Sequence, residues 1–111
     1  MQVIDIKFEA FQILNAKALD PIAVILHDLG DSKGRLIVEC WGSAWATYWG
    51  AMGGKTLREF IVSCDADYIQ NRMWCQQHKR TKTNDAYLRR VIEAVQEALR
   101  DPSGKTGGDS K

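Results

Sequence analysis

Two β-rich runs joined by a short turn leave this chain few ways to fold. Residues 21–29 and residues 35–41 are dominated by aliphatic and β-branched side chains, and the segment between them reads Gly-Asp-Ser-Lys-Gly. Glycine can adopt the positive φ that tight turns need, and Asp and Ser favour turns. The pattern predicts a β-hairpin, so the fold should contain an antiparallel sheet.

A further strand is predicted before the hairpin, at residues 3–8. Apolar Ile4, Ile6 and Phe8 alternate there with charged neighbours, and this period of two is typical of a half-buried strand. Residues 11–19 fit a continuing strand, a short helix or a loop equally well. Asp20-Pro21 then interrupts them.

The segment from Trp41 to Trp49 supports two interpretations. Its tryptophans lie four residues apart, so they share a face on a strand and nearly share one on a helix. Gly42 and Gly50 stand at its ends, and glycine within a strand often marks a bulge. We therefore favour a long bent strand over a helix.

Helical signals fill the rest of the chain. Thr56 and Glu59 have the spacing of a capping box, followed by apolar residues on one helical face. A second helical stretch over residues 65–73 is either continuous with this helix or separate from it. The last helix is expected to begin at Thr83-Asn84-Asp85, and its apolar stripe is periodic: Leu88, Val91, Ile92, Val95 and Leu99.

These elements predict an α+β fold in which a small antiparallel sheet, made of the first strand plus the hairpin, packs against two or three C-terminal helices. A chain of 111 residues suits one core, so we expect a single domain over residues 1–101 and a disordered tail over residues 102–111. The sequence has no apolar run of membrane-spanning length and no signal segment at its start. Three cysteines without a paired spacing favour a reducing compartment, so we expect a cytoplasmic protein with no membrane association.

No motif in the sequence indicates catalysis, a cofactor or a bound metal. Cys75 and His78 have a spacing that suits two zinc ligands, but a second such pair is missing. Gly50–Thr56 ends in Gly-Lys-Thr as a phosphate-binding loop does, yet it is one residue too short, and we interpret it as a loop before a helix. The acidic residues near turns and helix starts are interpreted as caps rather than cation ligands: Asp28, Asp31, Asp65 and Asp67.

Two groups of residues are candidates for binding. Aromatic side chains are enriched in binding hot spots, and four of them crowd one short segment: Trp41, Trp45, Tyr48 and Trp49. On a strand, one face of this segment would be core and the other would present Tyr48 or a tryptophan to a partner. A locally basic region could contact phosphates instead: Arg72, Lys79, Arg80, Lys82, Arg89 and Arg90.

Residues 34–53, with Phe60 and residues 64–69, resemble small uncharacterised proteins encoded by tailed phages and prophages. The similarity extends over roughly residues 21–72 and includes the Trp-x-x-Tyr-Trp-Gly segment and the Asp-x-x-Tyr-Ile helix start. The resemblance implies no established activity. It suggests a non-enzymatic accessory protein that binds a host protein, for example an anti-CRISPR inhibitor of a host defence system.

The alternative hypothesis is a regulatory protein that binds nucleic acid through its basic region, and a small enzyme ranks last. A homodimer is favoured under either of the first two hypotheses. Edge strands, or an incompletely covered stripe on the last helix, would form its interface.

Overall fold

A computed structural model describes residues 1–74 and 80–100 of the chain. The predicted tail at 102–111, Lys79 and the Cys75/His78 pair lie outside the described residues. Within them the chain forms four strands followed by three helices: β1 (Glu9–Ile13), β2 (Ile22–Gly30), β3 (Lys33–Cys40), β4 (Ser43–Trp49), α1 (Leu57–Ser63), α2 (Ala66–Met73) and α3 (Lys82–Arg100). The predicted α+β architecture, with an antiparallel sheet before helices, is confirmed.

The sheet is an antiparallel meander in which each strand pairs with its neighbour along the chain, in the order β1-β2-β3-β4. The predicted hairpin is confirmed as β2 and β3, with Val24 opposite Val38. Its turn uses positive φ at Asp31 and Ser32, and the register shifts between Asp28 and Gly30.

The predicted strand at residues 3–8 is wrong. Residues 1–8 form no helix or strand and are exposed, whereas β1 begins at Glu9 and includes part of the segment that the sequence left ambiguous. The alternation of Ile4, Ile6 and Phe8 is real, but a strand also needs a neighbour. The pairing with β2 stops at Glu9 opposite Leu26.

Residues 43–49 form a strand rather than a helix, as favoured, but residues 41–49 are not one long bent strand. Trp41 and Gly42 form a tight turn with φ of 56° and 79°, and Cys40 pairs with Ser43 across it. Gly42 therefore marks the turn of a second hairpin rather than a bulge, because its positive φ reverses the chain.

All three helices cover one face of the sheet. Alternate strand residues point into this interface, and the predicted stripe of α3, from Leu88 to Leu99, is fully buried there. Burial of that stripe removes it as a surface for a homodimer. No helix among the described residues is both long and apolar enough to span a bilayer.

The starts of α1 and α3 follow local side-chain caps, whereas Asp65 stands at the N-cap position of α2 without a side-chain cap hydrogen bond. The capping box of Thr56 and Glu59 is present in both directions at α1. α1 and α2 are separate helices, with Cys64 and Asp65 in extended conformations between them. α3 begins at Lys82, one residue before the predicted start at Thr83-Asn84-Asp85, because the Thr81 hydroxyl accepts a hydrogen bond from the Asn84 amide at 3.0 Å.

Candidate functional site

The aromatic segment divides between the two faces of β4. Trp45 and Trp49 point into the core and are almost completely buried, whereas Tyr48 lies on the opposite face and is 44% exposed. Trp41 lies before the strand, in the turn, and is 77% exposed. The period of two explains the split, since successive side chains of a strand point to opposite faces. A partner can therefore reach Trp41 and Tyr48 but not Trp45 or Trp49.

The two buried tryptophans join the sheet to the helices. The Trp49 ring packs edge-on against Phe60 with centroids 5.2 Å apart, and its Nε1 donates a hydrogen bond of 3.0 Å to the Tyr68 hydroxyl. Trp45 lies 6.2 Å from the ring of Tyr87 on α3. These contacts make both residues part of the packing between layers.

The sheet face opposite the helices, which we call the open face, consists of exposed and half-buried residues. Its middle row runs across all four strands and is entirely apolar: Ala10, Ile25, Ile37 and Ala46. A second row carries His27, Arg35 and Tyr48 in register. The third row carries Gln12, Ala23, Glu39 and Ala44 and lies next to the turn that holds Trp41.

The polar groups of the open face contact one another. The Arg35 guanidinium lies 3.5 Å from His27 Nδ1 and 5.9 Å from the centre of the Tyr48 ring. Glu39 accepts a hydrogen bond of 2.8 Å from the Gly42 amide, which ties this row to the turn. The face thus offers a small apolar centre with charge at both ends, a composition suited to contact with another protein surface.

Trp41 occupies a conformation that rarely holds a bulky residue. Turns of this kind require positive φ at both central positions and favour Asn-Gly or Asp-Gly. The chain places a tryptophan there, in the left-handed region and largely in solvent. Both features cost free energy in the isolated protein, because a non-glycine residue is strained at this φ and an indole is apolar.

Four of the five described residues of the basic region make contacts within the chain. Arg89 pairs with Asp67 and Glu93, and Arg80 donates to Asp85 at 3.0 Å and to Asn71 at 2.6 Å. Further guanidinium contacts involve Arg72, which donates to the Tyr48 carbonyl, and Arg90, which lies over the Tyr87 ring. Lys82 begins α3. Arg80 and Arg89 link α2 to α3, and these internal contacts reduce the positive charge available to phosphates.

Asp85 is the centre of this α2–α3 contact. Its carboxylate accepts hydrogen bonds from Trp74 Nε1 at 2.8 Å and from Arg80. Desolvation acts to raise the pKa of Asp85, but these donors together lower it below its ordinary value. This network links the end of α2 to the start of α3.

The Gly-Lys-Thr segment is a loop before a helix, as interpreted from its length. The Leu57 amide at the start of α1 donates to Asp28 Oδ2 at 2.9 Å, and the capping box uses the amides of Thr56 and Glu59. The Gly54 amide donates to the Ser32 hydroxyl at 2.7 Å. A phosphate would have to displace these internal acceptors to bind.

Asp28 caps α1 from the sheet, and this role should depend on pH. Hydrogen bonds from the amides of Leu57 and Gly30 lower the pKa of Asp28. A carboxylate whose pKa is lower in the folded state stabilises the fold above its unfolded pKa of about 4, and this stabilisation is lost as the pH falls through the lowered value. We expect Asp28→Asn to reduce the free energy of unfolding by about 1 kcal/mol at pH 7 and by less in acid.

Urea titrations of the wild type and Asp28→Asn from neutral to acidic pH measure this difference. Asp31→Asn is the matched control, because Asp31 lies exposed in the same turn. It should change stability little at any pH. A pH-independent deficit for Asp28→Asn would contradict the role assigned to its charge.

Thiol chemistry is not supported by the two described cysteines. Cys40 is buried, and its Sγ lies 3.0 Å from the Tyr87 hydroxyl, whose pKa is raised to about 12 mainly by desolvation. Burial also raises the pKa of Cys64, with a smaller contribution from the neighbouring Asp65. A thiolate, which is the reactive form, is disfavoured at Cys64.

A groove of about 420 Å³ lies where β2 meets α1 and the residues before β1. Three of its charged groups already have partners, since Asp28 caps α1 and Glu9 forms a salt bridge with Arg58. Lys7 also lines the groove. Within the described residues, no three acidic, histidine or cysteine side chains cluster in a way that could hold a metal ion. The groove therefore gathers no set of groups suited to catalysis.

The sequence pointed to Trp41 and Tyr48 but missed the rest of the open face. Ile25 and Ile37 look like core residues in the sequence, because aliphatic side chains alternate with other aliphatic side chains in both strands. Only the position of the helices decides which of the two faces is covered. The Trp41-Gly42 pair between two β-rich runs was the signal available for a turn.

The fold and this face together define a small α+β protein with a four-stranded meander, helices on one side and an open sheet on the other. Residues 1–81 match the model of a phage protein family, Phage_phiTE_072, and the chain belongs to that family. The match includes the whole sheet, α1 and α2, and it supports the resemblance to phage-encoded proteins. Neither the curated proteins nor the solved structures give a match to the chain.

Proposed function

We propose that this phage protein is a non-enzymatic accessory protein that binds a host protein and inhibits a host defence system, as anti-CRISPR proteins do. The observation that carries the proposal is Trp41, a large aromatic residue that is 77% exposed and held at positive φ. Backbone strain of this kind costs about 1–3 kcal/mol and is concentrated at functional sites. A tryptophan in this strained and exposed position is explained if a partner buries its indole.

The open face extends the surface on which a partner would lie. The apolar row from Ala10 to Ala46 can be covered by a similarly flat apolar surface, and Arg35 at one end favours an acidic group opposite it. Tyr48 supplies a second exposed aromatic beside Arg35. The expected partner is therefore a protein with an apolar patch, a pocket for an indole and a carboxylate at the far end.

The non-enzymatic part of the proposal is supported by three acidic side chains that already have partners within the fold. Asp28, Asp85 and Glu9 accept hydrogen bonds or ion pairs within the fold. The open face itself carries one histidine beside one arginine, with no nucleophile between them. Such an arrangement suits binding rather than bond cleavage.

Trp41→Asn is the variant that best separates binding from stability. Asparagine tolerates positive φ and forms the favoured Asn-Gly turn, so we expect the free energy of unfolding to stay the same or rise by about 0.5 kcal/mol. Removing an anchoring tryptophan should weaken partner binding at least tenfold, by about 1.4 kcal/mol or more. Tagged protein captured from host lysate identifies the partner, and titration of that purified partner gives the dissociation constants.

Glu97→Asn is the control, because Glu97 is exposed on α3 on the other side of the molecule. Capture should survive nuclease and high salt, persist with Glu97→Asn and fall with Trp41→Asn. Capture that disappears with nuclease or salt would support the nucleic-acid alternative instead. A partner held equally by the wild type and Trp41→Asn would overturn the role of Trp41.

A further inference from the structure

Residues 1–8, which we call segment 1–8, expose an unusual amount of apolar surface. All eight residues are exposed, with Ile4 at 68% and Phe8 at 55%, and they pair with no strand of the sheet. Alternation of apolar and charged residues, with β-branched side chains, is the pattern of a strand. The segment therefore has the composition of a strand but lacks a neighbour in this chain.

The pairing of β1 with β2 ends before segment 1–8 begins. From His27 to Gly30, β2 pairs with β3, and that register shifts between Asp28 and Gly30. The last pair between β1 and β2 is Glu9 with Leu26. Among the described residues, no strand pairs with residues 3–8.

The sequence of the segment is complementary to itself when two copies run antiparallel. With Ile6 opposite Ile6 of a second copy, Ile4 faces Phe8 and Asp5 faces Lys7. Cross-strand pairs of opposite charge and of apolar side chains stabilise a sheet, whereas like charges destabilise it. In this register each charged residue of one strand faces an opposite charge on the other strand, with one such pair on either side of the central Ile6 pair.

The neighbouring registers are unfavourable. A shift in one direction places Asp5 opposite Asp5, and a shift in the other places Lys7 opposite Lys7. A slip of a single residue in one strand sets apolar side chains against charged ones, because it exchanges the two faces of that strand. Charge and pattern therefore select one pairing.

We propose that two copies of this protein associate through segment 1–8, which forms a two-stranded antiparallel ribbon with Asp5 and Lys7 paired across a twofold axis. The contact is isologous, so each copy supplies the same surface. The paired residues belong neither to the open face nor to the turn at Trp41, so the proposal is independent of the function proposed above. A ribbon of this length is marginal alone, so the dimer should be weak, with a dissociation constant on the order of 10 μM.

Exchanging the charges of Asp5 and Lys7 tests the proposed register of the two strands. Sedimentation velocity from about 1 to about 500 μM should show a reversible dimer for the wild type. Asp5→Lys and Lys7→Asp each place like charges at both charged pairs and should each weaken the dimer at least tenfold. An equimolar mixture of the two single variants restores both opposite-charge pairs, so the mixture should form a heterodimer as tightly as the wild type forms its homodimer.

Lys17→Asp is the control, since Lys17 is exposed in the loop after β1 and the charge change equals that of Lys7→Asp. It should leave the dimer unchanged. Circular dichroism and urea titration of each variant show that the fold is intact, as expected for residues outside it. A wild type that stays monomeric over the whole concentration range would overturn the proposal. So would a mixture of the two variants that fails to associate. Either result would be expected if the segment instead pairs with a sheet edge or with a host protein.

Discussion

Trp49→Ala is expected to lower the free energy of unfolding by about 4 kcal/mol, a large part of the stability of a small domain. Trp49 fills the space between β4 and the first two helices, where it contacts Phe60 and donates a hydrogen bond to Tyr68. Alanine leaves a cavity and an unmatched hydroxyl. Urea unfolding followed by circular dichroism measures the change without depending on the fluorophore that the substitution removes.

The neighbouring Tyr48 provides the matched control. Tyr48→Ala removes an aromatic ring of similar size from the next position, but from the open face, where the ring lies over Arg35 and is half exposed. Its carbonyl, which accepts the Arg72 guanidinium, remains in the variant. We expect a loss below about 1 kcal/mol. Equal losses for the two variants would contradict the assignment of faces to β4.

Gln96→Leu is expected to lower the free energy of unfolding by about 3 kcal/mol although it keeps the volume of the side chain. Gln96 is buried on α3, and its amide nitrogen donates to the carbonyls of Ile61 at 3.1 Å and Cys64 at 2.7 Å. These carbonyls end α1, which lacks a C-terminal glycine cap. Leucine has no side-chain amide group, so both carbonyls would lose this hydrogen-bond donor.

Gln96→Glu separates the loss of donors from a change in shape. At neutral pH a carboxylate of similar size would face the same two carbonyls, so this variant should be less stable than Gln96→Leu. Glu97→Leu, at the next and exposed position, should change stability by less than about 0.5 kcal/mol. A wild-type stability for Gln96→Leu would show that these hydrogen bonds contribute little.

The features that could be predicted from sequence depend on neighbouring residues. The β2–β3 hairpin, the Thr56–Glu59 capping box and the stripe of α3 each lie within a few turns or one short loop, and each was found where it was expected. Local chemistry is sufficient there, because the interacting groups are close along the chain.

The features that were missed depend on residues far apart in the chain. The alternation at residues 3–8 resembles that of a strand, but the pairing of β1 with β2 stops at Glu9 opposite Leu26. Gln96 reaches Ile61 across 35 positions. Periodicity shows that a segment suits a strand and cannot show whether a neighbour is available.

The same limit applies to the candidate site. The cluster of aromatic residues was visible in the sequence, but its division into two buried and two exposed side chains required the positions of the helices and the turn. Trp41 could have been singled out by reading Trp-Gly between two β-rich runs as a hairpin turn. The interpretation of residues 41–49 as one long bent strand left no turn at this position.

Because all four strands precede all three helices, the ribosome releases the complete sheet while its covering layer is still unmade. At about 5–20 residues per second, the stretch from Trp49 to Arg100 takes about 3–10 s to synthesise. During that interval the side chains that later face the helices, such as Val24 and Val38, are in solvent together with the open face. The nascent protein is therefore most prone to aggregate just before α3 emerges, and a chain truncated there would remain in that state.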